Sequence, residues 1–201
     1  VGSSTHGEQT GKMLKKLEKV IQIENPDWVL VYGDTNSTLS GALAASKLNI
    51  PIAHVEAGLR SYNRKMPEEI NRVLTDHIST LLFCPSQVSK KNLSREGIKN
   101  DVFVVGDVMY DIFKKFEHQF PENNKYGEYC LSTIHRAENT TKDILPKRID
   151  QISKLDIKVV FPIHPRTKKC MKEFSIAIPD NVMIIEPVGW LALMVLTRNA
   201  Q

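Results

Sequence analysis

Short apolar runs alternate along this chain with longer stretches in which apolar residues recur every three or four positions, the pattern of βαβ units around a parallel sheet. Leu14, Leu17, Val20 and Ile21 fall at helical spacing, and the helix they predict ends near Asn25-Pro26, where proline cannot continue it. Residues 28–32 follow as a strand, then a polar turn over 33–38, a helix of small residues through Ala42, Leu43, Ala44 and Ala45, and a second strand at 52–55. Pro67-Glu68-Glu69 reads as a helix start, with proline in the first turn and two carboxylates placed favourably for the helix dipole. Ile70, Val73, Leu74 and Ile78 would be its core face. Residues 81–84 read as a strand, Ser86 as the N-cap of a helix to about Glu96, and 102–105 as another strand.

The stretch 120–125 has no apolar periodicity and marks the domain boundary, giving a first lobe at 1–118 and a second at 119–201. In the second lobe the alternation resumes with strands at 130–133, 159–161 and 182–185 and a helix over 144–155. The chain stops inside a helix that begins at Leu191, so this lobe reads as unfinished. The expected fold is therefore α/β, two Rossmann-like lobes with parallel sheets.

Charge changes this picture little. The formal net charge of +4 is spread along 201 residues without the basic runs or interleaved aromatics of a nucleic-acid surface. Cys84, Cys130 and Cys170 are odd in number and far apart, which argues against a disulfide framework and a zinc site and suits reduced thiols in a cytoplasmic protein. No apolar run approaches the roughly 20 residues that span a bilayer. The opening Val1-Gly2-Ser3 leaves the natural N-terminus open. No GxGxxG fingerprint, Walker A loop or metal-ligand spacing appears, so nicotinamide, P-loop and metal chemistry are not expected.

In open parallel sheets ligands bind at the carboxyl ends of strands, which draws attention to Asp34, Glu56, His135, His164 and Arg166. Asp34 lies in a turn whose amides and hydroxyls suit an anion or a sugar, although Asp34 or Ser37 would equally serve as a helix cap. Glu56, between Val55 and Ala57-Gly58, must be solvated or partnered, and Arg60 is the obvious structural partner. Glu68 and Glu69 would be explained by helix N-terminal charge alone. His135-Arg136 places an imidazole beside a permanent cation at a strand-to-helix turn, suitable for a diphosphate, with pairing of His135 to Glu138 as the alternative. His164-Pro165-Arg166 has the same character unless the proline is only a helix start. His54, inside a strand, reads as a hydrogen-bonded core residue.

Five runs then carry a resemblance: Gly33-Asp34-Thr35-Asn36-Ser37-Thr38, His54-Val55-Glu56-Ala57-Gly58-Leu59-Arg60, Pro67-Glu68-Glu69-Ile70-Asn71-Arg72, His135-Arg136-Ala137-Glu138-Asn139 and Pro187-Val188-Gly189-Trp190. In kind, order and spacing they resemble the non-hydrolysing UDP-N-acetylglucosamine 2-epimerases over nearly the whole chain. The resemblance implies a GT-B fold, a UDP-sugar substrate, no cofactor, and a homodimer. It also implies a two-stage reaction through a 2-acetamidoglucal. Carried onto the matching positions, it makes Asp34, Glu56 and Glu68 acid/base carboxylates and His135 the group that steadies the diphosphate. Arg60, Arg72, Arg136, His164 and Trp190 become substrate-binding residues. Members of the family usually also have an N-terminal strand with a Gly-Thr-Arg-Pro-Glu loop and a later Thr-Asp-Ser-Gly-Gly run, neither of which occurs in this sequence. The same residues leave open a 2-epimerase of another UDP-sugar such as a diacetamido uronic acid, a hydrolysing epimerase, a GT-B glycosyltransferase, or a non-catalytic sugar-nucleotide-binding remnant.

Overall fold

The computed structural model describes residues 4–121 and 125–201 and divides into two compact units, Val1–Ile112 and Phe113–Gln201. The expected boundary stretch 120–125 falls partly on residues 122–124, which lie outside the described residues.

In unit 1, helix α1 (His6–Glu24) starts at Thr5, whose side chain accepts from the Glu8 N–H, and stops at Asn25 in the left-handed conformation just before Pro26. Strands β1 (Val29–Tyr32), β2 (Ile52–Val55), β3 (Leu81–Cys84) and β4 (Val102–Val104) form one parallel sheet in chain order. Helices α2 (Asn36–Lys47), α3 (Pro67–Ile78) and α4 (Gln87–Arg95) make the three crossovers. A parallel sheet that advances one strand at a time with crossovers of one hand places those helices on one face. Burial follows: Val31 faces the helices, whereas Leu30, Tyr32 and Phe103 lie on the other face with about half their surface exposed (51, 57 and 49 %). Ala42, Ala44 and Ala45 of α2 are fully buried against Val31 and Ile52, so their small size is what brings α2 close to the sheet.

On α3 the expected core face is half right: Val73 is buried and Ile78 packs against the core. Ile70 and Leu74 of α3, expected in the core, are 42 and 47 % exposed, and Glu69, Asn71, Thr75 and Asp76 are buried in their place. Helical period selects a face but not its chemistry, and this one meets a polar network under the strand ends. A helix over 108–116 (α5, Val108–Phe116) was also missed, although Asp107 accepts from the Met109 N–H at its start and Val108, Ile112, Phe113 and Phe116 recur at helical spacing.

In unit 2, β5 (Tyr129–Leu131), β6 (Lys158–Pro162) and β7 (Val182–Ile185) form a second parallel sheet, joined by α6 (Leu145–Ser153) and α7 (Pro165–Glu173) and followed by α8 (Trp190–Arg198). The central strand β6 is buried on both faces. Val159 and Phe161 pack with Leu145, Ile149 and Met171, while Val160 packs with Tyr129 and Leu196, whose carbonyl accepts from the Tyr129 hydroxyl at 2.7 Å. Each lobe is Rossmann-like, and the fold is α/β of the GT-B type. No helix among the described residues is long and apolar enough to cross a membrane.

Gly58 has no tolerance for a side chain. Its φ is +77°, and a methyl group there would lie 2.4 Å from the Ser89 carbonyl oxygen. Gly58→Ala is expected to destabilise the protein by about 2–5 kcal/mol, combining the left-handed penalty with overpacking against backbone. Gly97→Ala, at φ +90° with open space around it, is expected to cost only about 1–2 kcal/mol. Equal midpoint shifts for the two variants in urea denaturation would contradict this account.

Candidate active site

Strands β1 and β2 run in register, Tyr32 beside Val55, so the residues that follow them emerge side by side. The Gly33 N–H donates to the Val55 carbonyl at 3.1 Å, and the Ala57 N–H to the Phe83 carbonyl at 3.1 Å. Asp34 and Glu56 are thereby delivered to one edge of the sheet. Glu56 occupies the left-handed region at φ +69°, a strained conformation for a residue with a Cβ. A methyl group at Gly33 would lie only 3.5 Å from Glu56 Oε2.

Neither Asp34 nor Ser37 caps α2; Thr35 does, accepting from the Thr38 N–H. Asp34 is instead bound to the guanidinium of Arg72, whose NH2 meets Asp34 Oδ2. Arg72 NH1 donates to Glu69 Oε2 at 3.1 Å, and its Nε is buried with no partner among the described residues. Asn71 secures the same turn, donating to the Asp34 carbonyl at 2.9 Å and to Asn36 Oδ1 at 3.1 Å. Glu69 is held by the Ser61 N–H and hydroxyl, the Tyr62 N–H and Arg72. Burial acts to raise its pKa, yet these donors together hold the carboxyl below its ordinary value. Glu69 is thus an ionised strut, whereas Glu68, one residue earlier, is exposed and lines a hollow of about 230 Å³ with Thr35, Asn36 and Ser37.

Glu56 is electrostatically distinct. Burial, then the negative charges of Asp107 and Asp34, push its carboxyl above the ordinary range, with His54 and Arg72 acting in the opposite sense. A carboxyl with a raised pKa at the carboxyl edge of the sheet is a candidate for proton transfer.

Arg60 does not partner Glu56, and it is not free to bind substrate. Its side chain is 1 % exposed, its Nε and NH2 grip Glu96 at 2.7 Å each, and its NH1 donates to Asp76 Oδ2 at 2.7 Å. The fully buried Asp76 and the partly buried Glu96 together saturate this guanidinium, which is why nearness in sequence misassigned it. His54 is fully buried beneath this loop, with Nδ1 2.7 Å from Asp76 Oδ1 and Nε2 2.8 Å from the Gly33 carbonyl. Asn71, Glu69 and Asp76 were missed as site residues; Glu69 and Asn71 lie in the matching run 67–72, whereas for Asp76 the sequence signal is that polar residues recur at helical spacing along α3.

In unit 2, His135 follows β5 and His164 follows β6, and their rings lie 5.9 Å apart between centroids. His164 is the N-cap of α7, its Nδ1 accepting from the Arg166 N–H at 3.1 Å, so in the neutral ring the hydrogen sits on Nε2. Pro165 is the helix start, as one sequence reading had it. Arg166 NH1 reaches the His135 carbonyl at 3.5 Å. Glu138 pairs with Arg136 at 3.9 Å rather than with His135, and both side chains are more than half exposed. Trp190 opens α8 behind Gly189 and is 36 % exposed. Exposed imidazoles, Arg136 and a helix N-terminus make this strand edge receptive to an anion. Among the described residues, no group of three or more His, Cys, Asp or Glu side chains is arranged to hold a metal ion.

The family model for UDP-N-acetylglucosamine 2-epimerase matches residues 1–201, the whole of the sequence. The chain belongs to the UDP-N-acetylglucosamine 2-epimerase family. It is 50 % identical to the UDP-N-acetylglucosamine 2-epimerase of Methanocaldococcus jannaschii, covering 100 % of this chain and 60 % of that protein. It is 44 % identical to the UDP-2,3-diacetamido-2,3-dideoxy-D-glucuronate 2-epimerase of Pseudomonas aeruginosa, covering 100 % of this chain and 59 % of that one. The crystal structure of the M. jannaschii UDP-GlcNAc 2-epimerase in complex with UDP-GlcNAc and UDP superposes with a TM-score of 0.89 at 49 % identity, over 99 % of this chain and 60 % of that one. The chain therefore spans about 60 % of the length of the relatives it matches. Within this epimerase family member, two of the matched runs supply the strand-end carboxylates and a third supplies Arg72, which clamps one of them.

Proposed function

We propose that the whole protein is a UDP-N-acetylglucosamine 2-epimerase that interconverts UDP-GlcNAc and UDP-ManNAc by elimination and re-addition of UDP. The observation that carries this reading is the pair of strand-end carboxylates, Asp34 and Glu56, of which one is ion-paired to Arg72 and the other has its pKa raised. A base removes the hydrogen on carbon 2, its electron pair forms the C1–C2 double bond, and the C1–O bond breaks with its pair leaving on UDP. The resulting 2-acetamidoglucal then takes UDP back at carbon 1 and a proton at carbon 2 from the opposite face. Two faces need two proton-transfer groups, and carboxylates in different electrostatic settings can serve one as acid and one as base.

Asp34, Glu56 and Glu68 are the acid/base candidates on this reading. Arg72, whose buried Nε lacks a partner among the described residues, offers a further donor to substrate. His135, Arg136, His164 and Trp190 bind the UDP portion, His135 steadying the diphosphate as charge collects on it. The family's usual habit supports a homodimer, and the three unpaired cysteines suit a cytoplasmic protein.

The P. aeruginosa relative keeps a second reading in play, a diacetamido uronic acid as the sugar. The two are separated by offering both UDP-sugars to the whole protein and following carbon 2 inversion by NMR. Conversion of UDP-GlcNAc to its manno epimer at the greater kcat/KM is expected; inversion of the uronate alone would replace the substrate, and transfer of the sugar to an acceptor without inversion would replace the reaction class.

A further inference from the structure

Asp76 lies on α3, far from either strand end in sequence, yet it is bound to both turns that carry the strand-end carboxylates. Its Oδ1 meets His54 Nδ1 at 2.7 Å, and His54 Nε2 reaches the carbonyl of Gly33, the residue before Asp34, at 2.8 Å. Its Oδ2 accepts from the Gly58 N–H at 3.1 Å, two residues after Glu56, and from Arg60 NH1 at 2.7 Å. The side chains of His54, Asp76 and Arg60 are at most 1 % exposed, so water does not compete for these bonds. A carbonyl oxygen only accepts, so Nε2 carries a hydrogen; the buried ion pair with Arg60 and the Gly58 N–H at Oδ2 favour Asp76 as the carboxylate, whose Oδ1 then accepts from a hydrogen on Nδ1. With both ring nitrogens donating, His54 is a buried imidazolium, and its charge acts on Glu56 in the lowering sense.

We propose that Asp76 is a positioning residue that, through His54 and the Gly58 amide, locks the Asp34 and Glu56 turns against each other and keeps a buried cation under Glu56. This rests on the epimerase reading given above. A strained Glu56 at φ +69° does not hold itself in place; Asp76 grips its loop at the Gly58 N–H, while Asn92 of α4 holds the Gly58 carbonyl and Glu69 holds Ser61 and Tyr62 further along. The groups that act on Glu56 are Asp34 after β1, Asp107 after β4, Arg72 on α3 and His54 on β2, and of these only His54 owes its charge to Asp76.

Asp76→Asn separates this role from mere folding. Asparagine can turn its oxygen to Gly58 and Arg60 and its amide to His54, which then becomes a neutral ring with Nδ1 accepting and Nε2 still donating to Gly33. The hydrogen bonds persist while the cation is lost. In the whole protein, kcat for carbon 2 inversion is expected to fall by roughly 10–100-fold, with KM and UDP affinity within about threefold of wild type. The limb of the kcat–pH profile governed by Glu56 is expected to move to higher pH, since its carboxylate loses a facing positive charge. An unchanged kcat with an unmoved limb would overturn the proposal, as would a lower kcat that tracks only the loss of folded protein. Should Asp76→Asn lack a cooperative melt, His54→Gln removes the same cation and must move the limb the same way; an unmoved limb there overturns the proposal. A wild-type protein that does not invert carbon 2 would remove the epimerase reading itself, and this inference with it, whereas an active wild type with an indifferent variant removes this inference alone.

Discussion

Glu56→Gln is expected to lower turnover of the whole protein by roughly 10²–10⁴-fold while UDP affinity stays within about threefold. The substitution keeps the size and shape of the side chain while removing its charge and its ability to exchange a proton, so its main effect falls on kcat rather than on binding. The pH profile carries a second signature. Burial and the charges of Asp107 and Asp34 raise the Glu56 pKa, so as a base it becomes active only as pH rises through a value above the ordinary carboxylate range, and as an acid it stays protonated up to that value. In either role one limb of the kcat profile belongs to Glu56 and disappears in the glutamine variant. Arg72→Met should shift that limb upward in an otherwise wild-type Glu56 protein, because a lowering charge has gone. A Glu56→Gln protein that is weak in UDP binding yet active at saturation would make Glu56 a ligand contact.

The order of strands and helices was legible because each apolar run had the length and bounding residues of its element: Asn25-Pro26 closes α1, Ser86 caps α4, Pro165 opens α7, and β7 spans the expected residues 182–185. What was illegible is which polar residue goes with which. Arg60 sits four residues from Glu56 in sequence but folds onto Asp76 and Glu96, and nothing local distinguishes those partners. The same holds for α3. Its inward face carries Glu69, Asn71, Thr75 and Asp76, so a reading that seeks apolar period points Ile70 and Leu74 the wrong way. Strand ends, by contrast, are a property of the topology, and a residue just past a predicted strand is placed at the sheet edge whatever its partners turn out to be. That is why Asp34 and Glu56 could be named in advance and the buried network beneath them could not.

The second large effect is isotopic, and it tests the central claim. Elimination breaks the carbon 2–hydrogen bond, so the hydrogen that returns comes from the solvent pool through a carboxyl group. Incubated in deuterium oxide without added nicotinamide or metal, the whole protein should convert UDP-GlcNAc to its manno epimer with deuterium at carbon 2. Asp34→Asn should slow that wash-in by roughly 10²-fold or more, since it removes a proton-transfer group and leaves Arg72 with Glu69 as its one remaining carboxylate partner. A glycosyltransferase or a binding remnant would leave carbon 2 unlabelled. The deciding measurement is the carbon 2 proton signal of the product in the NMR spectrum: its loss, together with inversion, is the predicted result, and an inverted product that retains protium at carbon 2 would contradict the elimination route.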